Sequence, residues 1–209
     1  MITVVDYGRG NLFSIGQALR HLGAAFEISS APEAVAVANR IIFPGVGAFG
    51  DAMTGLRERG LVEPLKAAAR AGTPILGICV GCQLMLTRGE EFGDHAGLDL
   101  IPGTVSRLLA PRSDDAAAIR IPKVGWRRLD RHGDAVVLGA IGPEDMMYFV
   151  HSYAPMASDP ATIAATIPIN GRAVPVAIEQ GALVGVQFHP EKSGPAGLRL
   201  LKRFAGIQR

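Results

Sequence analysis

The first hundred residues alternate short apolar runs with helix-like segments, and this alternation limits the possible fold more than any other feature. Apolar residues recur at helical spacing between residues 12 and 22, and Gly23 is typical of the end of a helix. Strands linked through helices favour a parallel sheet with helices on both faces. The predicted strands lie at residues 2–6, 26–29, 41–43 and 74–79, and two further helices at 51–59 and 61–70.

After about residue 100, short strand-like runs with turn residues between them replace this pattern. The predicted strands lie at residues 103–109, 119–124, 136–138, 147–153, 162–167, 174–180 and 183–188, and a last helix lies at 197–204. Residues 179–182, with the sequence Glu-Gln-Gly-Ala, are typical of a hairpin tip. We therefore expect one compact α/β domain over residues 1–209. Its open sheet is mixed and mostly parallel, is flanked by helices, and carries antiparallel strands in the C-terminal half.

Composition excludes several classes of protein. A chain of 209 residues can bury a large core without disulfides or a structural metal, and 48% hydrophobic residues with 19% charged residues indicate a globular protein. The net charge of +2 gives no general attraction to nucleic acid. The N-terminus has no basic region, and no segment approaches the roughly 18–20 apolar residues that span a bilayer. We expect a soluble cytoplasmic protein that does not bind membranes.

The segment from Ile75 to Gly81 is an apolar strand followed by Gly-Ile-Cys-Val-Gly and by a helix predicted over residues 80–87. The pattern G-x-C-x-G between a strand and a helix is that of a nucleophile elbow, with Cys79 in the place of serine. Glycines on both sides remove Cβ atoms that would clash in the sharp turn, and a helix N-terminus favours the thiolate. The pattern predicts a nucleophilic Cys79, although a buried core cysteine also fits it.

Cys79 and Cys82 also form a C-x-x-C pair, which is compatible with a thiol oxidoreductase. A zinc site would need further cysteine or histidine ligands nearby, and none follow closely in the sequence. We interpret Cys82 as a packed residue at the base of the elbow helix, and we expect neither a metal nor a cofactor.

A thiolate nucleophile needs a base, and the base needs an orienting group. His189 comes just after the predicted strand 183–188, and catalytic groups gather at the carboxyl ends of parallel strands. Pro190 fixes the chain so that Glu191 can fold back onto the imidazole. The turn at residues 44–47, Pro-Gly-Val-Gly, can direct backbone N–H groups toward an oxyanion. Taken singly, each segment also fits an ordinary surface loop or turn.

Together these segments resemble the class I, or triad-type, glutamine amidotransferase family. That family has a G-x-C-x-G elbow, a distal His-Pro-Glu and a Pro-Gly-x-Gly oxyanion turn, and the resemblance covers nearly the whole chain. Finer matches are most similar to the member that supplies ammonia in histidine biosynthesis. They lie at residues 6–12, 44–49, 77–84, 124–126, 149–153 and 187–193.

The resemblance implies a role for each matched residue. Cys79 would attack the side-chain amide of glutamine and form a γ-glutamyl thioester, His189 would shuttle the proton, and Glu191 would orient His189. The remaining roles are oxyanion-hole amides near Val46 and Val80, glutamine contacts at Gly47, Gln83, Ser152 and Tyr153, and partner contacts at Trp126, Tyr148 and Lys192.

The resemblance also implies a heterodimer with a separate (β/α)8-barrel cyclase. Ammonium is not a nucleophile, so delivery of ammonia through a closed interface would keep it neutral. The sequence agrees with a need for a partner, because it contains no G-x-x-x-x-G-K phosphate loop and no dinucleotide fingerprint.

Three other hypotheses stay open at the level of the sequence. Lys123 and Arg127 stand where that member usually has histidine and asparagine, which leaves room for a glutaminase that serves another synthase, such as one amidating a surface sugar. A non-catalytic binding subunit of the same fold is the second hypothesis. The third is the thiol oxidoreductase that uses Cys79 and Cys82.

Overall fold

An eight-stranded sheet forms the centre of the structure, a computed structural model that describes residues 1–108, 121–133 and 135–206. The strands are β1 (Ile2–Val5), β2 (Phe26–Ser29), β3 (Ile41–Gly45), β4 (Ile75–Cys79), β5 (Leu86–Gly89), β6 (His95–Ala96), β7 (Ile101–Arg107), β8 (Lys123–Arg127), β9 (Asp130–Arg131), β10 (Met147–His151), β11 (Tyr153–Ala157), β12 (Ile163–Ile169), β13 (Arg172–Gln180) and β14 (Leu183–Val186). The α-helices are α1 (Leu12–His21), α2 (Pro32–Ala36), α3 (Phe49–Glu58), α4 (Val62–Arg70), α5 (Val80–Leu84) and α6 (Gly194–Ala205). Short 3₁₀ helices lie at Leu138–Ala140, Pro160–Thr162 and Pro190–Lys192.

The strand order of this sheet is β2-β1-β3-β4-β14-β13-β12-β9. Along β2-β1-β3-β4-β14 each strand is parallel to the next, whereas the pairs β14–β13, β13–β12 and β12–β9 are antiparallel. Gly45 pairs with Cys79, and Ile78 pairs with Val186, so the carboxyl ends of β3, β4 and β14 lie side by side. The predicted mixed, mostly parallel sheet flanked by helices is therefore confirmed.

The central strands are buried on both faces, whereas the flanking helices are buried along one face. All residues of β1, β3, β4 and β14 are buried, as expected for parallel strands covered on both faces. The helices instead bury one stripe; α6, for example, buries Leu200, Leu201 and Phe204. Within the described ranges, no helix is both long enough and apolar enough to cross a bilayer.

The predicted elbow helix over residues 80–87 was wrong beyond Leu84. The carbonyls of Leu84 and Met85 accept hydrogen bonds from Leu98 and Leu100, so they are not available to extend the helix. The chain instead enters β5, which belongs to a second sheet of order β11-β7-β5-β6. Tertiary pairing with β7 therefore overrides the local helical pattern.

Three further differences concern short segments. The run at 147–153 is two strands, since β10 pairs with β8 in a two-stranded ribbon while β11 pairs with β7. Residues 136–138 are not a strand but lead into the 3₁₀ helix, and α2 was not predicted. The predicted hairpin tip at 179–182 is confirmed, because Gln180 pairs with Leu183. Residues 109 and 119–120 of the predicted strands lie outside the described residues.

Candidate active site

Cys79 is the last residue of β4 and the N-cap of α5, and its backbone has φ 55° and ψ −113°. A non-glycine residue at positive φ stores strain, which is typical of a nucleophile elbow. The flanking glycines are required by packing. A Cβ on Gly81 would lie 1.8 Å from the carbonyl oxygen of Phe43, and one on Gly77 would lie 2.6 Å from the sulfur of Met85. The structure thus has the strand–turn–helix geometry that the G-x-C-x-G pattern predicts.

His189 follows β14 and forms a buried pair with Glu191. Nδ1 of His189 lies 2.9 Å from Oε1 of Glu191, and the two side chains are only 4% and 1% exposed. Burial lowers the pKa of His189, but the interactions with Cys79 and Glu191 outweigh burial and raise the pKa to about 10. The imidazole ring is therefore protonated at neutral pH. Its Nε2 is buried and, within the described part of the chain, has no hydrogen-bond partner.

The backbone of His189 is fastened to β10 by three hydrogen bonds. The N–H of His189 donates to the carbonyl of Tyr148 at 2.9 Å. The hydroxyl of Ser193 accepts from the N–H of Tyr148 at 3.0 Å and donates to the carbonyl of His189 at 2.6 Å. The position of the imidazole is thus set jointly by β14 and by the ribbon of β8 and β10.

A cavity of about 320 Å³ brings most of the sequence-predicted site residues together. Glu191 lies behind His189 rather than on the cavity wall, and Trp126 and Tyr148 lie on the outer ribbon. The lining residues that the sequence predicted are Val46, Gly47, Cys79, Val80, Gln83, Ser152, Tyr153, His189 and Lys192.

The two amides expected at an oxyanion hole differ in their present use. The N–H of Val46 donates to the carbonyl of Arg9 at 3.1 Å, so this peptide group has to rotate before its N–H can reach a ligand at Cys79. Val80 is the first residue of α5, and N–H groups in a first helical turn have no intrahelical acceptor.

Gln83, on α5, uses its amide nitrogen within the protein. Nε2 donates to Oε1 of Gln187 at 2.9 Å and to the carbonyl of Tyr153 at 3.3 Å. These two bonds occupy both of its hydrogens. The Oε1 atom of Gln83 is then the part of the amide that can accept a hydrogen bond from a ligand.

Three polar residues of the cavity wall were not assigned roles from the sequence: Glu91, His151 and Gln187. Glu91 accepts a hydrogen bond from the N–H of Phe49 at 2.8 Å. Nothing in its local sequence marks it, because it lies in a segment predicted neither as strand nor as motif. His151 and Gln187 lie inside the matched segments 149–153 and 187–193, and this location could have identified them as candidate site residues.

His151 is a neutral imidazole in this wall. Its Nδ1 lies 2.9 Å from the carbonyl of Tyr153, which can only accept, so Nδ1 carries the proton. Burial is the main cause that lowers the pKa of His151 to about 4, with Lys123 and His189 also lowering it. Its Nε2 is buried and makes no hydrogen bond within the described ranges, so a lone pair is available at this wall.

The two cysteines are unpaired and differ in their surroundings. Cys82 is fully buried, and burial raises its pKa well above that of a free thiol. Its sulfur packs against Gly185, where an added Cβ would lie 2.6 Å away. This supports the packing interpretation of Cys82 over dithiol exchange. Among the described residues, no group of three or more His, Cys, Asp or Glu could hold a metal ion.

Comparison with known proteins identifies the family of this chain. The family model "Glutamine amidotransferase class-I" matches residues 3–206, and the chain therefore belongs to the class-I glutamine amidotransferase family. Solved structures with the same fold include a glutamine amidotransferase (TM-score 0.74, 18% identity, 99% of this chain and 100% of that chain). The glutaminase domain of CTPS from Trypanosoma brucei with bound acivicin is another (TM-score 0.62, 18% identity, 100% and 94%).

Curated relatives of higher identity carry a more specific name, imidazole glycerol phosphate synthase subunit HisH. The protein of that name from Syntrophotalea carbinolica is 39% identical over 99% of this chain and 100% of its own length. Those from Legionella pneumophila (strain Paris) and Bacillus cereus (strain AH187) are each 40% identical over 99% of this chain, covering 99% and 95% of their own lengths.

Proposed function

We propose that this protein hydrolyses L-glutamine to L-glutamate and ammonia, with Cys79 as nucleophile, His189 as acid and base, and Glu191 as the group that orients His189. One observation carries the proposal. The strained elbow places Cys79 on the wall of the cavity that also contains His189, whose ring is held from behind by Glu191 at 2.9 Å. Sulfur, imidazole and carboxylate in this order are the arrangement of a cysteine acyl-transfer site.

The reaction has two halves that His189 links. The sulfur of Cys79 adds to the side-chain carbonyl carbon of glutamine, and negative charge develops on the carbonyl oxygen. His189 donates a proton to the leaving nitrogen, the C–N bond breaks, and ammonia leaves behind a γ-glutamyl thioester. Water then adds to the thioester while His189 takes its proton, and rupture of the C–S bond releases glutamate and restores the Cys79 thiolate beside protonated His189.

Stabilisation of the oxyanion would come from backbone amides. The N–H of Val80 lies at the start of α5, where the helix dipole also favours negative charge. Val46 would supply the second N–H once its peptide leaves the carbonyl of Arg9. Loss of one such donor typically costs about 10²–10³ in turnover, so hydrolysis should be slow while the Val46 amide stays in its present orientation.

The amino-acid end of glutamine would be held by polar groups of the same cavity. Gly47, Ser152 and Tyr153 line it, and Gln83 offers its Oε1 atom. The carboxylate of Glu91 lines this cavity and is suited to the α-ammonium group of the substrate.

We also propose a heterodimer with a (β/α)8-barrel cyclase, in which the ammonia contributes to imidazole glycerol phosphate and AICAR in histidine biosynthesis. Relatives that match along nearly their full lengths are named as subunits of imidazole glycerol phosphate synthase. We place the assembly in the cytoplasm and treat residues 1–209 as its glutaminase domain.

An exposed apolar face beside the cavity supports the proposal of a partner subunit. On the ribbon of β8 and β10, Trp126 pairs with Tyr148 and Val124 pairs with Val150. The two aromatic rings lie edge to face with centroids 5.7 Å apart, while Trp126, Val124 and Val150 are 43%, 52% and 41% exposed. Apolar cross-strand pairs on an open face are typical of a protein interface, and the exposed Lys192 lies at the cavity rim.

Lys123 and Arg127, which depart from the usual residues, lie on the other face of β8. Lys123 is buried and donates to the carbonyl of Val124 at 3.1 Å, and burial lowers its pKa, with Arg127 as a second cause. Because side chains alternate along a strand, neither residue belongs to the face that carries Val124 and Trp126. These departures therefore do not favour a different synthase.

Labelling with the glutamine analogue diazo-oxo-norleucine tests the proposal. We expect one covalent adduct, on the peptide that contains Cys79, and loss of glutamine hydrolysis in proportion to labelling. Cys79→Ser should remove both, while the control Cys82→Ala should retain both because Cys82 is packed away from the cavity. Labelling absent in wild-type protein even with its partner bound would favour a non-catalytic subunit, and insulin reduction that survives His189→Ala would favour an oxidoreductase.

A further inference from the structure

The carboxamide of Gln187 connects the proposed nucleophile to the proposed substrate residue Gln83. Gln187 is completely buried just beyond β14, and its backbone N–H donates to Val176 at 2.8 Å. Its Nε2 lies 3.7 Å from Sγ of Cys79 in donor geometry, and its Oε1 accepts from Nε2 of Gln83 at 2.9 Å. One side chain thus contacts two functional groups that lie on β4 and α5.

The carbonyl of Tyr153 fixes the direction of these hydrogen bonds. The carbonyl of Tyr153 can only accept, so the atom of Gln83 that faces it at 3.3 Å is the amide nitrogen. That nitrogen donates its second hydrogen to Gln187, so the atom of Gln187 that accepts it is the amide oxygen. The remaining end of the Gln187 carboxamide, which faces the sulfur, is therefore the NH₂ group.

We propose that Gln187 is a positioning residue that donates a hydrogen bond to the sulfur of Cys79 and, through Gln83, directs an acceptor oxygen at the substrate. The inference rests on the proposed glutaminase function and deepens it. A donor at the sulfur stabilises the anionic form more than the neutral thiol, because hydrogen bonds to charged acceptors are the stronger ones. It also restricts the rotation of the Cys79 side chain on the strained elbow.

A purely structural role would have different consequences. If Gln187 only filled space, an apolar side chain of the same length would preserve both the reactivity of Cys79 and the affinity for glutamine. If it acts as proposed, loss of the donor alters the pH dependence of the sulfur. Loss of the acceptor lets the Gln83 amide turn, and this raises KM.

The alkylation of Cys79 by iodoacetamide, followed from about pH 5 to 10 in the full-length protein, tests the donor without glutamine. Gln187→Met should move the midpoint of the alkylation profile upward by about one pH unit, a change equivalent to about 1.4 kcal/mol. It should lower kcat about tenfold and also raise KM. Gln180→Met is the matched control, since Gln180 is exposed on β13, and its profile should coincide with that of the wild type.

A second variant separates the two hydrogen bonds and covers the case in which Gln187→Met does not fold. Gln187→Glu keeps an oxygen for Gln83 but places a carboxylate at the sulfur. It should therefore raise the midpoint at least as much while KM stays within about twofold of wild type. Gln83→Met should do the reverse, raising KM with a smaller change of midpoint.

Two results would overturn the role of Gln187. One is a folded Gln187→Met protein whose midpoint agrees with wild type within about 0.2 pH units; the other is a Gln187→Glu protein with an unchanged midpoint. Failure of the proposed function gives a separate result, because wild-type protein would then show the normal alkylation profile but no glutamine hydrolysis with its partner.

Discussion

Gly81 offers a direct measure of how tightly the elbow is packed. In a Gly81→Ala protein the new Cβ would lie 1.8 Å from the carbonyl oxygen of Phe43 and 3.2 Å from the carbonyl carbon of Pro44. Both obstacles are backbone atoms of β3, which lies in the middle of the sheet between β1 and β4. Side-chain rotation cannot remove this overlap, so α5 and β3 have to move apart by roughly 1.5 Å to reach an ordinary contact distance.

The expected destabilisation follows from two opposing terms. Overpacking of this kind costs about 3 kcal/mol or somewhat more, and alanine in place of glycine within a helix returns about 0.5–1 kcal/mol. The net loss of about 2–3 kcal/mol should lower the Tm by about 4–12 °C for a chain of this size. Glutamine hydrolysis should fall more than about tenfold, because the shift moves Cys79 relative to His189.

Gly16→Ala is the matched control for thermal unfolding followed by circular dichroism. Gly16 lies inside α1, and the nearest atoms to its added Cβ, on Arg20 and Phe26, are 3.6 Å away, which is ordinary contact. This variant should be more stable by about 0.5–1 kcal/mol and should keep its activity. A Gly81→Ala protein that melts within about 1 °C of wild type would refute the packing argument for the elbow.

Four further predictions concern the triad and the ribbon. In the assembled synthase, Cys79→Ser should abolish product formation from glutamine but retain it with added ammonium; a synthase that ammonium does not rescue contradicts the proposed division of labour. Glu191→Gln should hydrolyse glutamine about 10²–10⁴-fold more slowly, yet measurably faster than Cys79→Ser. Because Glu191 helps raise the pKa of His189 to about 10, that histidine stabilises the fold fully below about pH 6.5 and progressively less toward pH 10. Urea unfolding should therefore show a smaller loss between these pH values in Glu191→Gln than in wild type, and equal losses would argue against the pair. Trp126→Ala should weaken partner binding by about tenfold or more in titration calorimetry, and unchanged affinity would place the interface elsewhere.

The sequence predicts those parts of this fold that depend on neighbours along the chain. The elbow is one case, because the strand, both glycines and Cys79 stand within seven residues of each other. The pair of His189 and Glu191 is another, since only Pro190 separates them. The alternation of apolar runs and helices likewise predicts the parallel half of the main sheet.

Other features depend on contacts that no local pattern records. The strand β5 reads as a continuation of helix because its pairing partner β7 begins after an intervening hairpin. The network of Gln83 and Gln187 joins side chains 104 positions apart. The Val46 peptide is a third case, since its orientation depends on the carbonyl of Arg9 from a different loop. Composition gives no indication of any of these contacts.

The closed loop of hydrogen bonds through Ser193 makes the outer ribbon and the imidazole parts of one mechanical unit. Tyr148 carries an aromatic ring on the side where a partner would sit, while both polar groups of its own backbone are committed to the segment that holds His189. A protein bound against that ring would therefore act on the segment that holds His189, the proposed proton carrier. Under the proposed mechanism, partner binding and ammonia release would both depend on this short stretch of main chain.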